Sequence, residues 1–380
     1  MNKNTLKLFF SLIKNSILFR YRKFIGKASL PQVISLEITQ NCVARCIMCN
    51  IWKTQNNIED MPANKWLKML SSDFFTDLRE LDITGGEPYL KNDLTGLLSG
   101  ICKLKGTYLK RLRSVAVTTN GLLTDDVLKI TQKILPTFQK ADLDLVLVCA
   151  MDSVGKDHDK IRNHKNAWEK VNLTIEGLIN LRKSYGNLIV GLKTTVLPLN
   201  IKGLKAIVQY ADKRELFTII SPCIITSGRY LNPEKKNRFQ FKPEEIEQLI
   251  QFYQEEHSGW SFHCDALLDF FKVGKIKKPC TCGFNYFFIR STGEMHLCPL
   301  VGKSVGNIKV SNVSDLFFSK PAVQFRKKVG GMERCHTCTE PGLERYALHY
   351  EGFHYFCYIF KIGYKNFSSL YYNMGLDKFK

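Results

Sequence analysis

The stretch that most constrains this chain is Cys42-Val43-Ala44-Arg45-Cys46-Ile47-Met48-Cys49, a C-x3-C-x2-C run. It follows Gln32-Val33-Ile34-Ser35-Leu36-Glu37-Ile38-Thr39-Gln40, a β-rich, alternating segment that reads as a strand. The three cysteines therefore sit in the loop leaving a strand's C-terminal end. A [4Fe–4S] cube normally takes four thiolates. Three on one short loop would leave one iron open for another ligand. A structural zinc site or apolar burial would be the alternatives. Zinc wants a fourth ligand nearby, and His158 and His164 lie far along the chain.

The rest of the chain fits chemistry of this kind. Its 380 residues are 44% hydrophobic, enough for a barrel core and a smaller domain. Of thirteen cysteines, eight fall in two groups, 42–49 and 280–338, a clustering that favours metal ligation over a disulfide framework. Lys14, Arg20 and Arg22 interrupt any signal-like or spanning apolar run. A reducing cytoplasm is the expected compartment.

From residue 31 to 235 strand and helix patterns alternate. Strands are expected at 33–39, 80–84, 114–119, 143–150, 188–197 and 217–222. Helices are expected at 63–78, 94–105, 125–139, 167–184 and 204–213. Alternation argues a parallel α/β sheet with right-handed crossovers. Six units are too few for a closed eight-fold barrel. Residues 236–279 read as a helical linker, and 280–345 as a small cysteine-rich domain.

Each later strand end carries a polar turn. The second ends in Thr84-Gly85-Gly86-Glu87-Pro88, where two glycines allow close backbone approach. The third ends in Thr118-Thr119-Asn120-Gly121, the fourth in Ala150-Met151-Asp152-Ser153, followed by His158-Asp159-Lys160-Ile161-Arg162. In this order, the C-x3-C-x2-C loop and the Gly-Gly-Glu-Pro turn resemble the radical S-adenosylmethionine (radical SAM) enzymes. The resemblance implies a partial (β/α)6 TIM-type barrel with its site at the strands' C-terminal ends. It also implies that Cys42, Cys46 and Cys49 hold a [4Fe–4S] cluster whose open iron chelates SAM. By the same resemblance Gly85, Gly86, Glu87 and Pro88 meet the methionyl amine, and Thr119 and Asn120 border ribose and carboxylate. Asp152 would face ribose or substrate. The chain departs from the family at Ala150, where relatives often have serine, and at Met48, where they often place an aromatic beside adenine. Methionine is adaptable enough to do the same.

The second cysteine group reads Cys280-Thr281-Cys282-Gly283, then Gly293 and Cys298, then Cys335-His336-Thr337-Cys338. It resembles the auxiliary-cluster domains called SPASM and Twitch, with Ile289 and Gly293 in their short hairpin. The resemblance implies one auxiliary [4Fe–4S] cluster on Cys280, Cys298, Cys335 and Cys338. Cys282 is the spare and could exchange with Cys280. Where a full SPASM domain continues with cysteine, this chain has Glu344. Cys102, Cys149, Cys223 and Cys264 read as ordinary buried cysteines.

The expected activity is reductive SAM cleavage followed by hydrogen abstraction, with electrons from a donor such as ferredoxin or flavodoxin. The formal charge is +20, and residues 1–27 carry seven Lys/Arg and no acid. Leu6, Phe9, Phe10, Ile13 and Ile17 form an expected apolar stripe there, so residues 1–30 read as an amphipathic helix. With the aromatic basic tail 346–380, it points either to an anionic membrane surface and a lipid-phase substrate or to an apolar face packed on the barrel. Thirty residues before the barrel are too few for the leader-binding domain of peptide-modifying relatives. Maturation of a peptide or nucleic acid, or a non-enzymatic Fe–S electron carrier, is the alternative. The Gly85–Pro88 turn argues against a carrier, which has no need of SAM.

Overall fold

The six alternating stretches form strands β1 (Val33–Glu37), β2 (Glu80–Thr84), β3 (Ser114–Thr119), β4 (Asp144–Ala150), β5 (Leu188–Val196) and β6 (Phe217–Pro222). The structure is a computed structural model, and it describes residues 3–54, 59–255 and 261–373. Neighbouring strands pair in parallel and in sequential order, with β1 to β6 running across the sheet. Helices Leu94–Lys105, Thr124–Lys140, Ala167–Ser184 and Leu204–Asp212 provide crossovers. One face of each strand is apolar: Leu81, Ile83, Val115, Val117, Leu145 and Leu147 are buried in the main core with Leu97, Ile101 and Val127 of the helices. Period-two alternation then puts polar residues on the other face, where Ser35 donates to Asp82 at 2.7 Å.

The helix expected over 63–78 stops early, at Leu70. Ser72 accepts a hydrogen bond from the Phe74 N–H and starts a separate 3-10 turn, Asp73–Phe75. The linker 236–279 holds two helices, Pro243–Glu255 and Ser261–Val273, packed together through Leu249, Tyr253 and Leu267.

Three more strands follow: β7 (Tyr286–Ile289), β8 (Glu294–His296) and β9 (Gly306–Asn307). The hairpin formed by β7 and β8 lies where the sequence places it. It is not a separate sheet, however. β7 pairs in parallel with β1, Val33 opposite Tyr286 and Leu36 opposite Ile289. A nine-stranded sheet results, ordered β6-β5-β4-β3-β2-β1-β7-β8-β9.

The tail is core rather than a surface appendage. It folds as helices Pro341–Glu351, Phe353–Ile362 and Tyr364–Asn373; residues 374–380 and the side chains of Leu6 and Glu344 lie outside the described residues. Tyr346 stacks on Tyr286 with ring centroids 5.4 Å apart and donates its hydroxyl to Glu80 at 3.2 Å. Tyr350, Tyr355, Tyr358 and Phe367 join a second apolar cluster with Phe284 and Phe288. The N-terminal helix, Lys3–Ile25, completes it with Leu8, Leu12 and Phe19. The expected stripe largely faces outward, with Phe10, Ile13 and Ile17 exposed.

Candidate active site

The cysteine loop is held by its backbone, which leaves its thiols to line a cavity. Arg45 and Ile47 donate their N–H groups to the Arg162 and Ile161 carbonyls at 3.1 and 2.9 Å. Asn232 Nδ2 donates to the Met48 carbonyl at 2.7 Å, and Lys235 Nζ to the Ile47 carbonyl at 2.8 Å. Cys42, Cys46, Cys49 and Met48 open onto a cavity at the C-terminal strand ends, together with Gly85, Gly86, Thr119, Asn120 and Ala150.

Burial pushes the Cys42 and Cys49 thiols up to about 12 and raises Cys46 as well. Free thiols there stay protonated at neutral pH, and only a strongly positive centre draws out three adjacent thiolates. An iron cluster is such a centre, so the donor set fits one. Among the described residues no three His, Cys, Asp or Glu side chains converge as a single bound ion requires. A cube spreads its thiolates over separate irons.

Asn120 Nδ2 lies 3.6 Å from Cys42 Sγ, and its Oδ1 accepts from the Leu122 N–H at 2.9 Å. Arg162 Nη1 lies 3.7 Å from Cys46 Sγ, and Nη2 lies 2.7 Å from Asp152. Two N–H groups thus aim at two of the three sulfurs.

The glycines serve the chain's own backbone: a Cβ on Gly85 would sit 2.4 Å from the Thr39 carbonyl oxygen, and one on Gly86 2.3 Å from that of Asn41. The Gly86 and Glu87 N–H groups donate to those same carbonyls, each at 2.8 Å. Glu87 is fully buried and accepts from Thr119 Oγ1 at 2.8 Å, the Asn120 N–H at 2.7 Å and the Tyr89 N–H at 3.2 Å. These three donors of the protein itself take most of its acceptor sites, and burial pushes its pKa up to about 7. Pro88 is buried at the start of the 3-10 turn Pro88–Leu90. Asp152 is buried with Arg162, accepts from the Thr195 N–H at 2.8 Å and is not among the residues lining the cavity. Cys223, read as an ordinary buried cysteine, lines the cavity.

Sequence reasoning missed the far wall, where Lys193, Ser221, Arg229, Tyr230 and Glu340 line the same cavity. Arg229 Nη2 donates to Thr84 Oγ1 at 2.7 Å. Lys193 was findable: a cation near the C-terminal end of an apolar strand is a functional signal. His158 is a buried residue whose Nδ1 accepts the Asp152 N–H at 3.1 Å, while its Nε2 is buried without a hydrogen-bond partner among the described residues.

Cys280, Cys298, Cys335 and Cys338 line a second cavity. Cys282 is buried behind them, its thiol hydrogen-bonded to Cys280 and Cys298. The Cys282 hydrogen bond lowers the Cys280 pKa, while burial pushes Cys338 up to about 11.

A model of the radical SAM superfamily matches residues 36–211, and one of the iron–sulfur cluster-binding domain SPASM matches residues 280–339. The chain is 24% identical over 148 residues to the antilisterial bacteriocin subtilosin biosynthesis protein AlbA of Bacillus subtilis (strain 168), covering 39% of this chain and 30% of AlbA. It is 29% identical over 183 residues to a probable GTP 3′,8-cyclase of Methanococcus maripaludis (strain C6), covering 47% and 54%. The chain thus spans about a third of the length of the first of these relatives and about half of the second. Among solved structures, Streptococcus suis SuiB bound to precursor peptide SuiA superposes with a TM-score of 0.58 at 12% identity, covering 83% of this chain and 71% of SuiB. Native anSMEcpe with bound AdoMet gives 0.57 at 16% identity, covering 90% and 100%. At these identities the likeness is one of fold.

Proposed function

The chain belongs to the radical SAM superfamily and carries a SPASM domain, and from that premise we propose that it abstracts hydrogen from an unactivated C–H bond of a substrate held against Lys193 and Arg229. [4Fe–4S] clusters and SAM are its cofactors. When bound, they supply a 5′-deoxyadenosyl radical by one-electron cleavage of the SAM sulfonium. The observation that carries the reading is the joint opening of Cys42, Cys46, Cys49, Gly85 and Gly86 onto one cavity at the strand ends.

In this reading Cys42, Cys46 and Cys49 hold the first cluster, and Met48, Thr119 and Asn120 border SAM. Glu87 is a positioning residue that fixes the 119–121 turn. Cys280, Cys298, Cys335 and Cys338 hold the auxiliary cluster, with Cys282 donating a hydrogen bond from behind. Full ligation by four cysteines favours electron transfer over substrate binding there. The core is 31–235, the auxiliary domain 280–345, and 236–279 joins them. Ferredoxin or flavodoxin supplies the electron, and an anionic membrane surface is the place of work, on its cytoplasmic side. Peptide maturation is the second reading. It is supported by the likeness to SuiB, solved with its precursor peptide, and to AlbA, a bacteriocin biosynthesis protein.

The test is anaerobic reconstitution with SAM and dithionite, reading 5′-deoxyadenosine and methionine. Both should form in equal amounts, and Cys46→Ala should abolish them. A reconstituted protein that binds two clusters but yields no 5′-deoxyadenosine would support an electron carrier instead.

A further inference from the structure

The N-terminal helix carries two apolar faces, and the fold uses only one. Leu8, Leu12, Ser16 and Phe19 are buried against the tail helices. Asn15 Nδ2 donates to the His349 carbonyl and Arg22 Nη1 to the Tyr350 hydroxyl, both at 2.9 Å. Gly352 packs directly on the Leu12 carbonyl, where a Cβ would lie 2.2 Å from the oxygen. The helix is therefore fixed in place and its other face is set by the fold.

On that other face Phe10, Ile13, Ile17, Tyr21 and Phe24 are 68, 43, 66, 62 and 82% exposed. Their spacing of three, four, four and three residues keeps them within one narrow stripe at 100° per residue. The stripe continues onto the tail. Phe9 packs edge-on against Phe356 and Phe360 at 5.2 and 5.8 Å, and Phe360 is itself 66% exposed. Large exposed apolar residues lined up in this way mark an interaction surface.

Charge identifies the occupant. Lys7 and Lys14 are exposed along one flank of the stripe, while Arg20, exposed beyond the other, turns its guanidinium back to the Ser16 carbonyl and over the Phe353 ring. Residues 1–27 hold seven Lys/Arg and no Asp or Glu. A second copy of this chain would bring like charges together, whereas an anionic bilayer surface complements them. Among the described residues no helix is long and apolar enough to cross a membrane. A helix of this kind lies in the plane of the interface.

We propose that this face docks on an anionic membrane, with Phe10, Ile13, Ile17, Tyr21 and Phe24 immersed among the acyl chains and the flanking cations at the headgroups. The inference rests on the membrane placement proposed above and names its surface. It does not depend on the radical chemistry. Because the embedded face is opposite the packed one, docking needs no unfolding of the helix.

The experiment uses the full chain, reconstituted anaerobically and sedimented with extruded vesicles. Vesicles of phosphatidylcholine are compared with vesicles that also contain phosphatidylglycerol. Binding to the anionic vesicles, falling with added salt, is expected. The exposed-face variant Phe10→Ser/Ile17→Ser/Phe24→Ser should keep its 5′-deoxyadenosine yield and lose vesicle affinity by roughly tenfold or more. Should that variant fail to fold, Phe24→Trp serves instead, and its fluorescence should shift to the blue on adding anionic vesicles. The proposal is overturned if the wild-type chain ignores anionic vesicles at low salt, if the triple variant binds as well as wild type, or if Phe24→Trp shows no shift. It is also overturned if the chain is a dimer in solution that the triple substitution dissociates, since the face would then be covered by a second copy. Loss of 5′-deoxyadenosine formation in the wild type would refute the enzymatic reading and leave the vesicle result standing.

Discussion

Replacing Arg162 by methionine should be among the most damaging single changes near the first cysteine loop. The guanidinium and the Asp152 carboxylate lie 2.7 Å apart, with side chains 8% and 0% exposed. Methionine keeps the length and apolar bulk but leaves Asp152 buried with the Thr195 N–H as its remaining close donor. Breaking a buried pair from one side costs about 3–5 kcal/mol. Burial raises the Asp152 pKa, and Arg162 is the largest opposing influence. Without it the folded-state pKa rises further above the unfolded one. A raised pKa gives stability that is present below the unfolded pKa and lost as pH rises through the folded value. The variant's deficit should therefore widen with increasing pH. Urea denaturation of the cluster-free, reduced protein, followed by circular dichroism, reads this directly. Asp152→Asn added to Arg162→Met removes the stranded charge and should recover about 1–3 kcal/mol. In reconstituted protein, losing the N–H aimed at Cys46 Sγ should move the first cluster's reduction potential to more negative values. The reasoning is refuted if Arg162→Met costs under about 1 kcal/mol, or if the double variant is no more stable than the single one.

Three further outcomes are expected. Reconstituted protein should hold about eight irons, and Cys42→Ala/Cys46→Ala/Cys49→Ala about four, by iron assay. Gly86→Ala should displace the cysteine loop itself, because its Cβ would meet the Asn41 carbonyl; EPR should then show loss of the first cluster, not merely of its response to SAM. Burial holds His158 neutral, with its pKa driven down to about 2. A depressed pKa gives stability that is present above the unfolded value and lost as pH falls. Wild type should lose about 1 kcal/mol per pH unit below about pH 6.5 on this account, and His158→Asn, whose Oδ1 can take the same N–H, should flatten that slope.

Much of the barrel was legible because its signals are local. Glu80–Thr84, Ser114–Thr119 and Phe217–Pro222 form strands where alternation puts them, and Ala167–Ser184 forms the helix its period indicates. The cysteine loop and the Gly85-Gly86 turn were legible as spacings. What a carboxylate faces was not. Glu87 and Asp152 sit beside the expected site in sequence, yet both are consumed by donors of the protein itself, on Thr119, Asn120, Tyr89, Thr195 and Arg162. Which face of the N-terminal helix packs was not legible either, for a related reason. Phe10 and Leu12 are both apolar, and only the tail's packing decides which of them is buried.

The pairing of β7 with β1 bears on how the chain could be divided. A fragment ending before Cys280 would keep all six barrel strands but leave the β1 edge, Val33 to Leu36, without the partner it has in the full chain. An apolar edge with unpaired amide and carbonyl groups is a template for another chain. The cysteine-rich segment thus acts as a guard against aggregation as well as a cluster holder. The isolated barrel should self-associate through β1, and a soluble minimal enzyme would have to retain residues 286–289.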